Sequence, residues 1–188
     1  MSPLQRLIEK GTKNLRAFDQ ADIAENIVYL MQTYSKNVEI LIKIFEIISV
    51  CGLYKPLTNK FVNFGILKDI INIIFQTKDY RSYLVVLGFD IIWNIIDSVG
   101  IDALRSFANE EVINELKILF ESIMKSGYKL EDKGLRNEIL ILINYLMSDP
   151  DALHFFFEKP TFPGAGKMHS FLEILLYYAT IDEMTFYS

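Results

Sequence analysis

Gly88-Phe89-Asp90-Ile91-Ile92-Trp93-Asn94-Ile95-Ile96-Asp97-Ser98-Val99 is the stretch whose reading decides the fold. It is apolar almost all round, broken by two acids and one asparagine. A helix with so little polar surface has to be covered on most of its sides. In a stack of helices, the covered element is the innermost one of each unit. Segments of the same kind run from Val38 to Val50 and from Leu135 to Met147. Together they predict a short pile of similar helical units, a design suited to holding other proteins rather than to catalysis.

Composition narrows the choice further. Nine glycines and five prolines are too few for a sandwich of many short strands with tight turns. The net charge of -5, from 24 acids and 19 bases, argues against a nucleic-acid partner, which calls for a basic surplus. The same charge also serves simple solubility. The single cysteine, Cys51, excludes an internal disulfide and suits a reducing compartment. Met1 to Lys10 lacks the apolar core of a signal peptide. Glu39, Lys43 and Glu46 interrupt Val38–Leu53, so a membrane span is not expected there. A cytosolic protein is the expectation.

Along the chain, Leu4, Leu7 and Ile8 follow Ser2-Pro3 at helical spacing, and Gly11 to Gln20 is mixed. Ile23, Ile27, Leu30, Met31 and Tyr34 mark a helix face, and Asn37 is placed to cap the next helix. Gly52 is read as a left-handed stop, and Leu53–Lys60, with Pro56, as a turn with one helical turn after it. Ile66 to Phe75 gives another face, Gln76–Asp79 a loop, and Tyr80–Val99 the central helix, closed by Gly100. Ile101 to Phe107 can form only a short helix. Asn109 caps the next one, with Glu110 and Glu111 in its first turn. Tyr128–Gly134 reads as a charged linker, Asp149-Pro150 as a helix start, Lys159–Lys167 as a loop, and His169–Thr180 as the last helix. Isoleucine pairs favour strands locally, but the surrounding period is helical and takes precedence. The domain boundaries expected are an N-terminal helix or extension over 1–21 and a helical repeat domain over 22–188.

Phe45-Glu46-Ile47-Ile48 repeats as Phe89-Asp90-Ile91-Ile92, with residues 45 and 89 lying 44 apart. Gly65–Ile70 aligns with Glu110–Glu115 after a slide of one residue. That period suits two- or three-helix solenoid repeats, each of which needs a neighbour to cover it. Trp93-Asn94-Ile95-Ile96 and Ile143-Asn144-Tyr145-Leu146 give a looser third match, 50 residues on. The chain ends in Tyr177, Tyr178, Met184, Phe186 and Tyr187 with little charge. Either a partner or further chain covers this end, or it frays as an aromatic tail.

Ile91-Ile92-Trp93-Asn94-Ile95-Ile96 resembles the third helix of an armadillo repeat, and Asn63-Phe64-Gly65-Ile66-Leu67-Lys68-Asp69-Ile70 resembles the start of one. Over Leu87–Thr180 the resemblance is closer. Phe89–Ile96, Leu116-Lys117-Ile118-Leu119-Phe120, Leu135-Arg136-Asn137-Glu138-Ile139-Leu140-Ile141 and Met147-Ser148-Asp149-Pro150-Asp151-Ala152 look like the cilia- and flagella-associated protein 69 family. The resemblance implies an all-α, armadillo/HEAT-like right-handed helical solenoid of about three to four repeats. It also implies a non-enzymatic scaffold of the motile-cilium axoneme, in a central-apparatus projection. Partners would be other axonemal proteins in a microtubule-associated assembly, with no nucleic acid and no membrane. A peptide-groove adaptor of the same fold outside cilia is the alternative.

The candidate partner-binding residues are Trp93, Asn94, Asn144, Tyr177 and Phe186. The resemblance implies that Asn94 and Asn144 line a concave groove and bond a peptide backbone; a buried amide equally needs a neighbouring helix end. Trp93 serves as a groove anchor or as core. No cofactor, metal or catalytic residue is expected. His154 and His169, the only histidines, lie 15 residues apart across a loop, far from the tight ligand spacing zinc asks for. No Gly-x-Ser-x-Gly elbow is present. Gly164-Ala165-Gly166-Lys167 lacks the phosphate-loop spacing and the hydroxyl after the lysine.

Overall fold

A computed structural model of the chain describes residues 12–106, 108–125, 132–158 and 170–176. Among the described residues there are helices, turns and no strand. The chain divides into two compact units, Met1–Phe107 and Ala108–Ser188.

The first unit runs α1 (Thr12–Gln20), α2 (Ile23–Thr33), α3 (Val38–Cys51), α4 (Lys55–Asn63), α5 (Ile66–Gln76), α6 (Tyr83–Val99) and a 3-10 helix η1 (Ile101–Ser106). The second runs α7 (Glu110–Lys125), α8 (Lys133–Met147), α9 (Pro150–Phe157) and a helical stretch over 171–176, α10. A short, a middle and a long helix recur as α1-α2-α3 and α4-α5-α6, and η1-α7-α8 follows as a third group whose last two helices, of 16 and 15 residues, are nearly equal.

Local chemistry sets most boundaries. Asn37 Oδ1 accepts from the Ile40 N–H at 3.2 Å and starts α3. Asn109 Oδ1 accepts from Val112 N–H at 3.1 Å ahead of α7. Asp149 Oδ1 accepts from Asp151 N–H at 3.0 Å, with Pro150 in the first turn of α9. Gly65 and Gly100 take positive φ, 79° and 97°, at either end of the α5–α6 pair.

Three expectations need correction. Gly52 is not left-handed: its φ is -60°, and the chain leaves α3 through consecutive right-handed turns, Leu53 and Tyr54 donating to Val50 and Cys51 carbonyls. The turn expected over Leu53–Lys60 is confined to Leu53 and Tyr54, and the helical turn expected after it is the nine-residue α4, with Pro56 in its first turn, where its missing N–H has no partner to lose. Thr58 Oγ1 then donates to the Gly52 carbonyl at 3.0 Å and fastens the corner. The central helix begins at Tyr83 rather than Tyr80, since Asp79 Oδ1 accepts from Arg81 N–H at 3.0 Å and holds that turn out of the helix. The mixed segment before Asp22 is helix α1, packed on α2 and α4. Lys60 Nζ ties its end down, 2.9 Å from Asp19 and 3.0 Å from Asp22. These two carboxylates raise the Lys60 pKa.

α6 is the hub of the first unit, packing on α3, α4, α5 and η1. Its buried residues include Val85, Gly88, Phe89, Ile92 and Ile95. Forty-four residues earlier, α3 buries Leu41, Ile44, Phe45, Ile48 and Cys51, the same positions. α6 buries Leu84, Leu87 and Ile91 as well, whereas their counterparts on α3, Ile40, Lys43 and Ile47, stay partly or fully open. α3 covers surface on α6 that α3 itself, with no such helix before it, keeps open. Gly88 permits the closest approach: a Cβ there would lie 2.8 Å from Ile74 Cδ1 and 3.2 Å from Phe45 Cε2.

In the second unit, α7, α8 and α9 pack pairwise. Phe171 of α10 lies with its ring centroid 6.0 Å from Phe120 and 5.4 Å from Phe156. Leu135, Ile139, Leu142 and Leu146 of α8 are buried, as are Val85, Phe89, Ile92 and Ile96 of α6, 50 residues earlier, while buried Ile143 falls on half-buried Trp93. The same comparison between α5 and α7 gives 46: Ile66, Leu67, Ile70 and Ile74 match Val112, Ile113, Leu116 and Phe120. Ile71 then matches Lys117, which is 1% exposed. Burial lowers the Lys117 pKa, against the opposing pull of Glu121 and Glu173.

Gly88→Val is expected to destabilise the fold by about 2 kcal/mol, because the added atoms collide with buried Ile74 and Phe45; a denaturant midpoint at or above wild type would show that the α3–α6 contact has room. Cys51 is fully buried, and burial pushes its thiol up to about 11. Its thiolate is scarce at pH 8, so alkylation should follow global unfolding, and fast modification of the native chain would contradict this packing.

Candidate partner-binding face

α6 is covered on most but not all sides. Tyr83, Val86, Asp90, Trp93, Asn94 and Asp97 escape full burial and recur every three or four residues, so they form one stripe. Tyr83 is 56% exposed, an aromatic ring left outside the packing. On α3 the residues that escape burial at matching positions are Glu39, Ile42, Glu46, Ser49 and Val50, followed by Leu53 just past the helix. α3 and α6 pack along one another with Phe45 against Gly88, so the two stripes run side by side.

Trp93 is half-buried, intermediate between the core and anchor readings. Asn94 is half-buried, and its amide makes no hydrogen bond among the described residues. Asn144 is exposed on α8. Asn144 is thus more open than Asn94, its match 50 residues earlier. Tyr177 and Phe186 lie outside the described residues.

Reading greasy segments for their apolar content treated the acids only as interruptions. Asp90 is half-buried, and burial raises its pKa. Neither Asp90 nor Asp97 has a hydrogen bond or ion pair from its side chain among the described residues. Glu46 occupies the Asp90 position of the preceding unit and pairs with Lys43 at 3.0 Å. The available signal was the recurrence itself: Phe45-Glu46 and Phe89-Asp90 repeat an acid as faithfully as an aromatic.

No group of three or more His, Cys, Asp or Glu side chains that could hold a metal occurs among the described residues. His154 lies against the Phe155 ring, 3.8 Å between centroids, and His169 lies outside the described residues. No helix among the described residues is long and apolar enough to cross a membrane. What the stripe offers is a broad surface of rings, aliphatic side chains, an amide and carboxylates.

Truncation separates the two roles. Phe89→Ala, deep in the core, should cost about 3–5 kcal/mol. Trp93→Ala should cost roughly 1–2 kcal/mol, since part of the indole already meets water. Equal losses in denaturant titrations would return Trp93 to the core.

The family described as cilia- and flagella-associated protein 69, ARM repeat, matches residues 8–184. No curated protein and no solved structure matches the chain. The three-helix recurrence, the inner helix α6 and a match over nearly the whole sequence agree: the chain belongs to the cilia- and flagella-associated protein 69 family, through its armadillo-repeat region.

Proposed function

We propose that this chain is a non-enzymatic structural scaffold of the motile-cilium axoneme, holding partner proteins of a central-apparatus projection through its armadillo-like surfaces. The observation that carries the reading is the α6 stripe inside a family match spanning residues 8–184. A helix packed on most of its sides keeps Trp93, Asn94 and Tyr83 partly accessible, the mixture of ring and amide that protein interfaces favour. Partners are other axonemal proteins. An acidic chain, with net charge -5, has no electrostatic reason to hold nucleic acid.

Expressed with a fluorescent tag in multiciliated cells, the chain should decorate the axoneme and remain there after detergent extraction. A signal confined to the cell body would overturn the ciliary assignment and favour an adaptor of the same fold elsewhere.

A further inference from the structure

α1 is lightly secured by its own side chains. It has nine residues, short of the length at which a helix holds itself together in water. Among its described side chains only Leu15 is buried, with Phe18 half-buried. α4, its counterpart one repeat later and of the same length, buries Leu57, Thr58 and Phe61. α4 also carries a base of its own, Lys60, in its last turn, where a cation suits the helix dipole. The last turn of α1 has none.

Lys60 serves both helices. Its Nζ reaches across to the end of α1 and donates to the Asp19 carbonyl at 2.7 Å. The same nitrogen lies 2.9 Å from Asp19 Oδ1 and 3.0 Å from Asp22 Oδ1. An ammonium has three hydrogens, and three oxygens meet it here. Asp19 Oδ1 is closed off from water and has no other polar partner among the described residues. Asp22 holds φ at 49°, a left-handed conformation that a residue with a Cβ adopts only at a cost, and its side chain makes no capping bond to α2. The shared cation is what keeps this corner in place.

Without that charge, two carboxylates would be left facing one another, one of them with a buried oxygen lacking any partner. A swing of the α1 end outward returns both to water, relaxes Asp22 and gives up little beyond the contacts of Leu15 and Phe18. The core around α6 is built from other contacts, those with α3, α4, α5 and η1.

We propose that α1 is a strap over the seam between α2 and α4, locked by the Lys60 ammonium, and that it opens as a separate unit when that charge is lost while the rest of the first unit stays folded. α1 packs on both helices, and they pack on one another, so the strap closes that seam. The stack thereby has one edge that can open alone. The inference rests on the packing of the first unit and not on the ciliary assignment.

The test is native-state hydrogen exchange on the whole chain, read peptide by peptide, for the wild type, Lys60→Met and Lys60→Arg. Methionine keeps much of the apolar stem and removes the charge, whereas arginine keeps the charge. In Lys60→Met the amides of α1 should exchange roughly tenfold faster than in the wild type, while those of α3 and α6 keep their protection. Lys60→Arg should retain most of the α1 protection. Added salt should speed exchange in α1 of the wild type more than in Lys60→Met, which has no ammonium left to screen. Unchanged α1 exchange in Lys60→Met, a loss of protection shared equally by α3 and α6, or the same loss in Lys60→Arg would each overturn the proposal.

Discussion

The packing of Phe45 against Gly88 is the constraint from which the first unit is built. α6 carries so much apolar surface that it is stable only when enclosed, and enclosure requires that neighbouring backbones come close. Gly88 supplies the gap into which Phe45 and Ile74 fit. The helices around α6 follow from this: α3 on one flank, α4 and α5 below, and η1 beyond its end. The same requirement leaves a single stripe of α6 unenclosed, because its neighbours are themselves helices arranged side by side and cannot surround it. The accessible surface is thus a by-product of how repeats cover one another.

That surface differs in character from the ordinary exterior of a domain. A solvated helix face carries charges of both signs that pair with one another, as Lys43 and Glu46 do. The α6 stripe sets rings and aliphatic groups between carboxylates without such pairing. Burial raises the Asp90 pKa, so in the folded chain its ionised form is disfavoured relative to the unfolded chain. Between the ordinary carboxylate range and the raised value, the folded state holds more proton than the unfolded one. Stability contributed by this residue is therefore present below the ordinary range and is lost as pH rises through the raised value. At neutral pH Asp90 weakens the fold by whatever its neighbours do not offset.

Much of the architecture was legible from periodicity. The three greasy segments are the long helices α3, α6 and α8, and the offset of 44 between the first two is matched by burial almost position for position. Caps at Asn37, Asn109 and Asp149 were readable because a short polar side chain before an apolar period has few other uses. Local signals misled where one residue type serves two purposes. Pro56 suits a turn or the first turn of a helix, and Gly52 suits a left-handed cap or a tightly packed right-handed corner; only tertiary packing chose between them. The stripe was half legible: Trp93 and Asn94 stood out by rarity, whereas Asp90 and Asp97 looked like ordinary interruptions.

Similar units pose a hazard while a chain is still folding, since one helix can settle into the slot meant for its counterpart. α5 and α7 are such counterparts, with nearly the same pattern of apolar residues. Lys117 breaks the likeness at a place where Ile71 is wholly enclosed. In its own slot the ammonium has Glu121 and Glu173 nearby. In the α5 slot it would displace a fully buried isoleucine and be sealed among aliphatic groups, an error too costly to persist. A buried lysine thus marks one repeat as different from the next, whatever it contributes to the finished protein.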